Sequence, residues 1–298
     1  MVVYNVDAIV RIGTIVVGMD YEHDVDREDF MSNYKLEEWK AAYGVRPIVC
    51  QRAWSMIHEK VSEENLSIYN FFWCLYWMKT YHVEHECARA VKSNSKTFRE
   101  KTKAMARILA LHMLKVINWG LRTTATVESE VFTVTVDGTH LVIEGVYVED
   151  RNGVKRPDPK YYSHKHKTAG LTYEVAVAIF SDNIVWINGP FPAGKSDLKI
   201  FSEEGLANVL SVYGEKAVGD AGYKSIFVSQ KGEGNHEWKK AKSIYRARQE
   251  SVNSRLKIFR CLQYRWRHDH DLHGYVFRAI ALLTQLSFEN NPLMESID

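Results

Sequence analysis

Three acids in this sequence have the residue type and spacing for chemistry at phosphorus. Asp137 closes a β-branched run, VFTVTVD, and is followed by glycine. Asp220 ends a short apolar run in VGDAGY, and Glu250 falls inside the helical stretch RARQESVNSRLKIF. Carboxylates at the ends of adjacent strands, with a third from a crossing helix, can converge on one point. Oxygen donors of this kind suit Mg²⁺ or Mn²⁺, which keep water and accept substrate phosphate as further ligands. Two such ions roughly 3.5–4 Å apart stabilise both the attacking and the leaving oxygen of an in-line displacement. Each acid taken singly reads as a loop or surface carboxylate; the order strand-Asp, strand-Asp, helix-Glu makes the set specific.

Other chemistries compete less well. Residues 189–196, GPFPAGKS, fit the spacing of a phosphate-binding P-loop, with Lys195 as its lysine. Such a loop cradles phosphate with successive backbone N–H groups, and Pro190 and Pro192 have none to give. A P-loop NTPase is therefore the weakest of the functions considered. HVEHEC (His82–Cys87) and RHDHDLH (Arg267–His273) lack closed zinc-site spacing, so solvated or capping histidines are expected. The four cysteines are scattered with no C-x-x-C, which predicts buried thiols in a reducing compartment.

The elements that must position the acids follow from periodicity. The chain has 298 residues, 46% apolar and 26% charged, as in a soluble globular protein. Leu66–Met78 is the longest apolar stretch and too short to span a bilayer; no secretory leader pattern opens the chain. Residues 1–120 read as helical: Leu36–Gly44, Pro47 to about His58, a buried helix over Leu66–Lys79, then Glu84–Val91, a polar turn, and Ser95–Leu114. Thr97 and Glu100 fit a capping box. In the last helix Phe98, Thr102, Met105 and Leu109 share one face, and Lys96, Arg99, Lys103 and Arg107 another. A helix–turn–helix over about 84–114 with this basic stripe could dock on DNA; an amphipathic helix in a bundle gives the same pattern.

Residues 121–298 alternate strands and helices. VFTVTVDGTHLVIEGVYVED predicts two strands meeting near Asp137, LTYEVAVAIF and NIVWING a hairpin, SDLKIFSEEGLANVL one helix capped by Ser196 or Asp197, and Asn235–Leu262 one long helix. On that helix Ile244, Ala247, Ser251, Ser254 and Ile258 form a small or apolar face bordered by Glu250, leaving Arg248, Arg255 and Lys257 on the rest of its surface. Charge is graded along the chain: Met1–Glu38 holds 3 Lys/Arg against 9 Asp/Glu, net −6, and Lys231–Arg278 holds 12 against 5, net +7. The basic part is expected to face an anion such as nucleic acid.

The pieces VDGTHLVI, YYSHKHKTAGLTYEVAVAIFSDNIVWINGPFPAGKSDLKIF, GEKAVGDAGY and ARQESVNSRLKIF resemble the Harbinger-like DDE transposase superfamily endonucleases, as does the helical stretch upstream. The resemblance implies an α/β fold with an RNase H-like core, a mixed sheet with flanking helices, behind the helical region. It makes Asp137, Asp220 and Glu250 the metal-binding triad of an enzyme that hydrolyses DNA phosphodiesters and transfers strands. It turns GPFPAG into a plain strand-to-helix loop and brings the basic loop SHKHK, with Lys165 and Lys167, near the active edge. DNA, both element ends and target, is the implied partner; the resemblance leaves room for a separate DNA-binding protein and for a homo-oligomer, and implies the nucleus. Gln249 stands where the family often has histidine, and Ala221 where it often has a basic or polar residue. A transposase-derived binding factor that no longer cuts is the alternative, and the intact acids argue against it.

Overall fold

The protein is represented by a computed structural model that describes residues 4–21, 31–203, 205–230 and 232–293. Much of the acidic N-terminal charge, residues 22–29, lies outside the described residues. In chain order the helices begin with α1 (Val6–Val17), α2 (Asn33–Tyr43), α3 (Pro47–Glu63), α4 (Ile68–Thr80), α5 (Glu84–Ala90) and α6 (Ser95–His112). Strands β1 (Ala125–Val127), β2 (Glu130–Val142), β3 (Tyr147–Glu149), β4 (Lys155–Pro157), β5 (Tyr162–Ser163), β6 (Thr168–Ala178) and β7 (Ile184–Pro192) follow. Then come α7 (Asp197–Glu203), α8 (Leu206–Tyr213), β8 (Glu215–Val218), β9 (Val228–Ser229), α9 (His236–Leu256), α10 (Arg260–Gln263) and α11 (His270–Ser287). None of the described helices is long and apolar enough to cross a membrane.

Contacts sort the chain into two compact units. The first holds residues 1–116, 255–263 and 268–291, so the C-terminal helices group with the N-terminal ones, not with the sheet as the division at residue 120 supposed. The reason is the apolar face of α11, which packs on α6 and α3. Helix ends here are set locally. Pro47 opens α3, and Gly44 ends α2 at φ 81°, a conformation that favours glycine. Asn94, not Thr97, caps α6, its side chain accepting the Thr97 N–H at 2.9 Å. The faces read from α6 hold, for Phe98, Thr102, Met105 and Leu109 are all buried.

Trp39, Tyr43, Phe71 and Phe72 form the aromatic centre of this unit, and the Tyr43 hydroxyl donates to the Gly13 carbonyl at 2.6 Å. A Cβ at Gly13 would overlap the Trp39 ring. Gly13→Ala is therefore expected to destabilise the protein by about 1–3 kcal/mol through overpacking, read as a lower urea midpoint. A wild-type midpoint would contradict this packing.

The second unit holds residues 117–254, 264–267 and 292–298 and is built on a mixed sheet. Its main strands run in the order β7–β6–β2–β8–β9, with β7, β6 and β2 antiparallel to their neighbours and β2, β8 and β9 parallel. Val134 and Val136 of β2 face a core completed by Phe201 of α7 and by Leu206 and Leu210 of α8. Phe132, Ile179 and Val218 meet Trp238 and Tyr245 of α9. Helices thus flank a mixed sheet, an α/β arrangement compatible with an RNase H-like core.

Four local expectations change. β2 is one 13-residue strand running through Asp137, because Asp137 and Gly138 keep their pairing with Val175 and Glu174 of β6. The helix expected after Ser196 breaks before Gly205, giving α7 and α8. The long C-terminal helix ends at Leu256 and resumes as α10. The inward face of α9 is Trp238, Lys242, Tyr245, Gln249 and Val252; Ala247 is exposed.

Candidate active site

Strand register brings the two aspartates together. Parallel pairing sets Thr135 of β2 opposite Val218 of β8, so two residues further along each path Asp137 is level with Asp220. β8 ends at Val218, which leaves that end of the strand pair open. Asp220 folds back to accept the Gly222 N–H at 2.8 Å.

Helix α9 fixes Asp137 from the other side. Gln249 and Asn253 lie one turn apart, about 6 Å of helix, and Thr135 and Asp137 lie two residues apart, about 6.7 Å of strand. The two spacings match. The Thr135 hydroxyl donates to Gln249 Oε1 at 2.7 Å, and Asn253 Nδ2 donates to Asp137 Oδ2 at 2.8 Å. Gln249 Nε2 also reaches the Val175 carbonyl at 3.2 Å, so the residue that departs from the family's histidine is a buried clamp between α9 and the sheet. The second Asp137 oxygen accepts the Gly138 N–H at 2.9 Å.

A third aspartate joins them that the spacing argument had read only as a helix cap. Asp197 opens α7 with its carboxylate against Gly138, where a Cβ would overlap it. Burial raises the Asp137 pKa to about 6; the charges of Asp197 and Asp220 add to the rise, and the Gly138 N–H and Lys165 oppose it. Asp197 is raised by burial too, with Lys165 opposing and Asp220 adding. A fourth acid lies behind them. Glu174 of β6, 1% exposed and paired with Gly138, accepts from Trp186 Nε1 at 2.8 Å and from the Leu206 N–H at 3.1 Å. Burial carries its pKa to about 7 against those two bonds. The buried Tyr223 phenol, held protonated first by burial, feels all four carboxylates. A cavity of about 270 Å³ opens beside Asp197, walled by His140, Lys165, His166 and Lys195, with the two imidazoles stacked 4.3 Å apart.

Glu250 stands differently. It lies one residue beyond Gln249 and three before Asn253, yet its side chain is exposed and lines a separate groove along α9. Among the described residues, no three His, Cys, Asp or Glu side chains are already grouped as metal ligands.

The basic residues divide by environment. Lys165 and Lys167 are exposed on the β5–β6 turn. Lys96 and Arg99 are exposed on α6, where Arg99 pairs with Glu84 at 2.5 Å, Lys103 lies 3.8 Å from Asp269, and Arg107 sits over the Tyr275 ring. Arg248 is not the surface cation that was expected: at 4% exposure it faces inward and donates to the Ile179 and Ser181 carbonyls and Asp182, fastening α9 to the β6–β7 turn. Arg255 bonds the Asn291 carbonyl and covers the Phe288 ring, and Lys257 is half-buried. Residues 189–192 of the P-loop match are part of β7, and Lys195 pairs with Glu203 at 3.3 Å, so the loop presents no phosphate cradle. All four cysteines are buried and free. His273 is buried as well, held neutral by burial with its pKa near 3, and is neither solvated nor a cap.

The sequence model of the family described as DDE superfamily endonuclease matches residues 136–285, just over half of the chain, and the protein belongs to that family. No curated protein and no solved structure matches the chain.

Proposed function

We propose that this protein is a Harbinger-like DDE transposase that cuts DNA phosphodiesters with two divalent cations, Mg²⁺ or Mn²⁺, and joins the freed end to target DNA. The observation that carries the proposal is the approach of three half-buried aspartates, Asp137, Asp197 and Asp220, inside the family-matched region. Three hard oxygen donors fit a divalent cation, which relieves the repulsion that Asp220 exerts on Asp137 and Asp197 as a proton on either does. When bound, the cations supply a nucleophile at neutral pH and stabilise the attacking and leaving oxygens.

The protein's own groups do the positioning. Asn253 and the Gly138 N–H hold Asp137 in one rotamer, and the Gly222 N–H holds Asp220. Lys165 offsets part of the negative charge and is placed to meet a substrate phosphate, with Lys167 beside it. Glu250 completes the ligand set by turning from its groove toward Asp137, one helical turn from Asn253. After hydrolysis, the freed 3′-hydroxyl of the DNA attacks a target phosphodiester. The α5–α6 pair docks on the duplex through Lys96, Arg99, Lys103 and Arg107; the partly exposed pairs of Arg99 with Glu84 and Lys103 with Asp269 are worth about 1 kcal/mol or less and exchange for phosphates. Arg255 and Lys257 give further phosphate contacts. We assign the protein to the nucleus and leave room for a partner protein and for self-association on the DNA.

The test is nicking of supercoiled plasmid in Mn²⁺ by wild type, Asp220→Asn and Glu250→Gln. Nicking lost in both variants and stopped by EDTA supports the proposal. Salt-sensitive DNA binding without nicking by wild type would favour the factor that binds and no longer cuts. A second test addresses Asp197 alone. Gly138→Ala pushes its carboxylate aside and is expected to weaken Mn²⁺ binding roughly 10–100-fold with the fold intact by circular dichroism. Unchanged Mn²⁺ affinity would remove Asp197 from the site.

A further inference from the structure

A groove of about 610 Å³ runs along the outward side of α9, and its charged lining residues are Lys239, Lys240, Lys242 and Arg246 against the single acid Glu250. His236, Lys239, Lys240, Ser243, Arg246 and Glu250 recur at steps of three and four, so they form one stripe of the helix. The opposite stripe, from Trp238 to Val252, is buried. From His236 to Glu250 the stripe is about 21 Å long. Lys239 and Lys240 are exposed and Arg246 half-buried, and among the described residues none of the three has an ion-pair partner. Elsewhere on the surface Lys60 and Lys199 each lie beside a glutamate. Lys239 and Arg246 each stand one turn from Lys242, and like charges at that spacing repel, so a stripe left unneutralised suits an anion that arrives from outside.

The groove is also built. Lys242, 1% exposed, turns inward and donates to Ser229 Oγ at 3.0 Å, to the Gln230 carbonyl at 2.5 Å and to the Glu233 carbonyl at 2.8 Å. It ties the segment after β9 to the helix and leaves the outer cations to face solvent.

We infer that this groove seats the phosphate backbone of duplex DNA flanking the bond to be cut and leads it toward Glu250, an inference that rests on the function proposed above. One strand places a phosphate about every 3.4 Å of axis, so the stripe is long enough for about six. The single acid stands at the end of the row, where a carboxylate repels phosphate unless a cation lies between them, which is the role given to Glu250. An acidic protein segment would match the cations but gives no reason for the row to end at that residue.

The experiment measures anisotropy of a labelled duplex of about 20 base pairs across a salt series, in EDTA so that binding is separate from cleavage. The proteins are wild type, the triple variant Lys239→Glu/Lys240→Glu/Arg246→Glu, and the milder Lys239→Gln/Lys240→Gln/Arg246→Gln in case charge reversal disturbs folding. Both variants are expected to bind more weakly, the reversed one on the order of 10²-fold at low salt. The slope of log affinity on log salt is expected to fall by about 2.7, at roughly 0.9 for each phosphate that is no longer neutralised. Their Mn²⁺ affinity should stay wild-type. Variants that bind duplex with wild-type affinity and slope would overturn the groove and hand the stripe to another partner; so would a wild-type protein that does not bind duplex. A wild type that binds through the groove and never nicks would instead overturn the transposase reading alone.

Discussion

Asp137→Asn is expected to abolish nicking, a loss of roughly 10³-fold or more, and at the same time to make the metal-free protein harder to unfold. The two effects have one cause. Asp137 is partly buried, with Asp197 and Asp220 nearby, so its ionised form is disfavoured until a cation arrives, and its pKa stands near 6. A rise of about two units above the ordinary value means that ionising it at neutral pH costs the fold about 3 kcal/mol. Asparagine keeps the shape and an oxygen to accept from Asn253, at the loss of the bond from the Gly138 N–H, and it has no charge to hold a cation or to be repelled. The gain is expected above pH 7 in EDTA, by urea denaturation, and not at pH 4, where the aspartate is itself neutral. A variant less stable than wild type at pH 8 would mean that the neighbouring carboxylates do not press on Asp137 as described.

A second large effect follows from Glu174, whose pKa near 7 lies well above the usual carboxylate range. A carboxyl whose pKa is raised by folding stabilises the native state in its protonated form. That contribution is complete below about pH 4 and is lost as pH rises through the folded value. Asp137 loses its share through pH 6 and Glu174 through pH 7, about 3 kcal/mol each. In EDTA the urea midpoint is therefore expected to fall between pH 5 and pH 8. Glu174→Gln should flatten the upper part of the fall, and Mn²⁺ the lower part, because the cation replaces the proton at Asp137. A midpoint that climbs over this range would contradict the burial of both groups.

The sequence disclosed those parts of the site that rest on strong periodicity. Asp137 and Asp220 were legible because β-branched runs lead into both, and parallel pairing makes equal offsets meet. The faces of α6 were legible because its buried residues, Thr102 apart, are apolar. Asp197 was hidden, since SDLK reads as a helix start; the one available signal was Gly138, the glycine that gives its carboxylate room. The face of α9 was hidden for the opposite reason. Its buried side includes Lys242, Arg248 and Gln249, polar groups whose burial depends on the carbonyls and the threonine that they meet, and hydropathy cannot register partners supplied by distant strands. The same misassignment concealed the cationic groove, because a face off by part of a turn put Arg248 outside and left KKAK, Lys239–Lys242, as only a short basic run on a helix.

The measurement that bears most directly on the central claim is calorimetric titration of Mn²⁺ into wild type and Asp137→Asn at pH 6, in two buffers of different ionisation heat. Asp137 is then about half protonated, so wild type should bind Mn²⁺ and release protons, and the variant should lose both. A wild type that binds no Mn²⁺, or a variant that binds it equally well with the same proton release, would contradict a metal site built on these carboxylates.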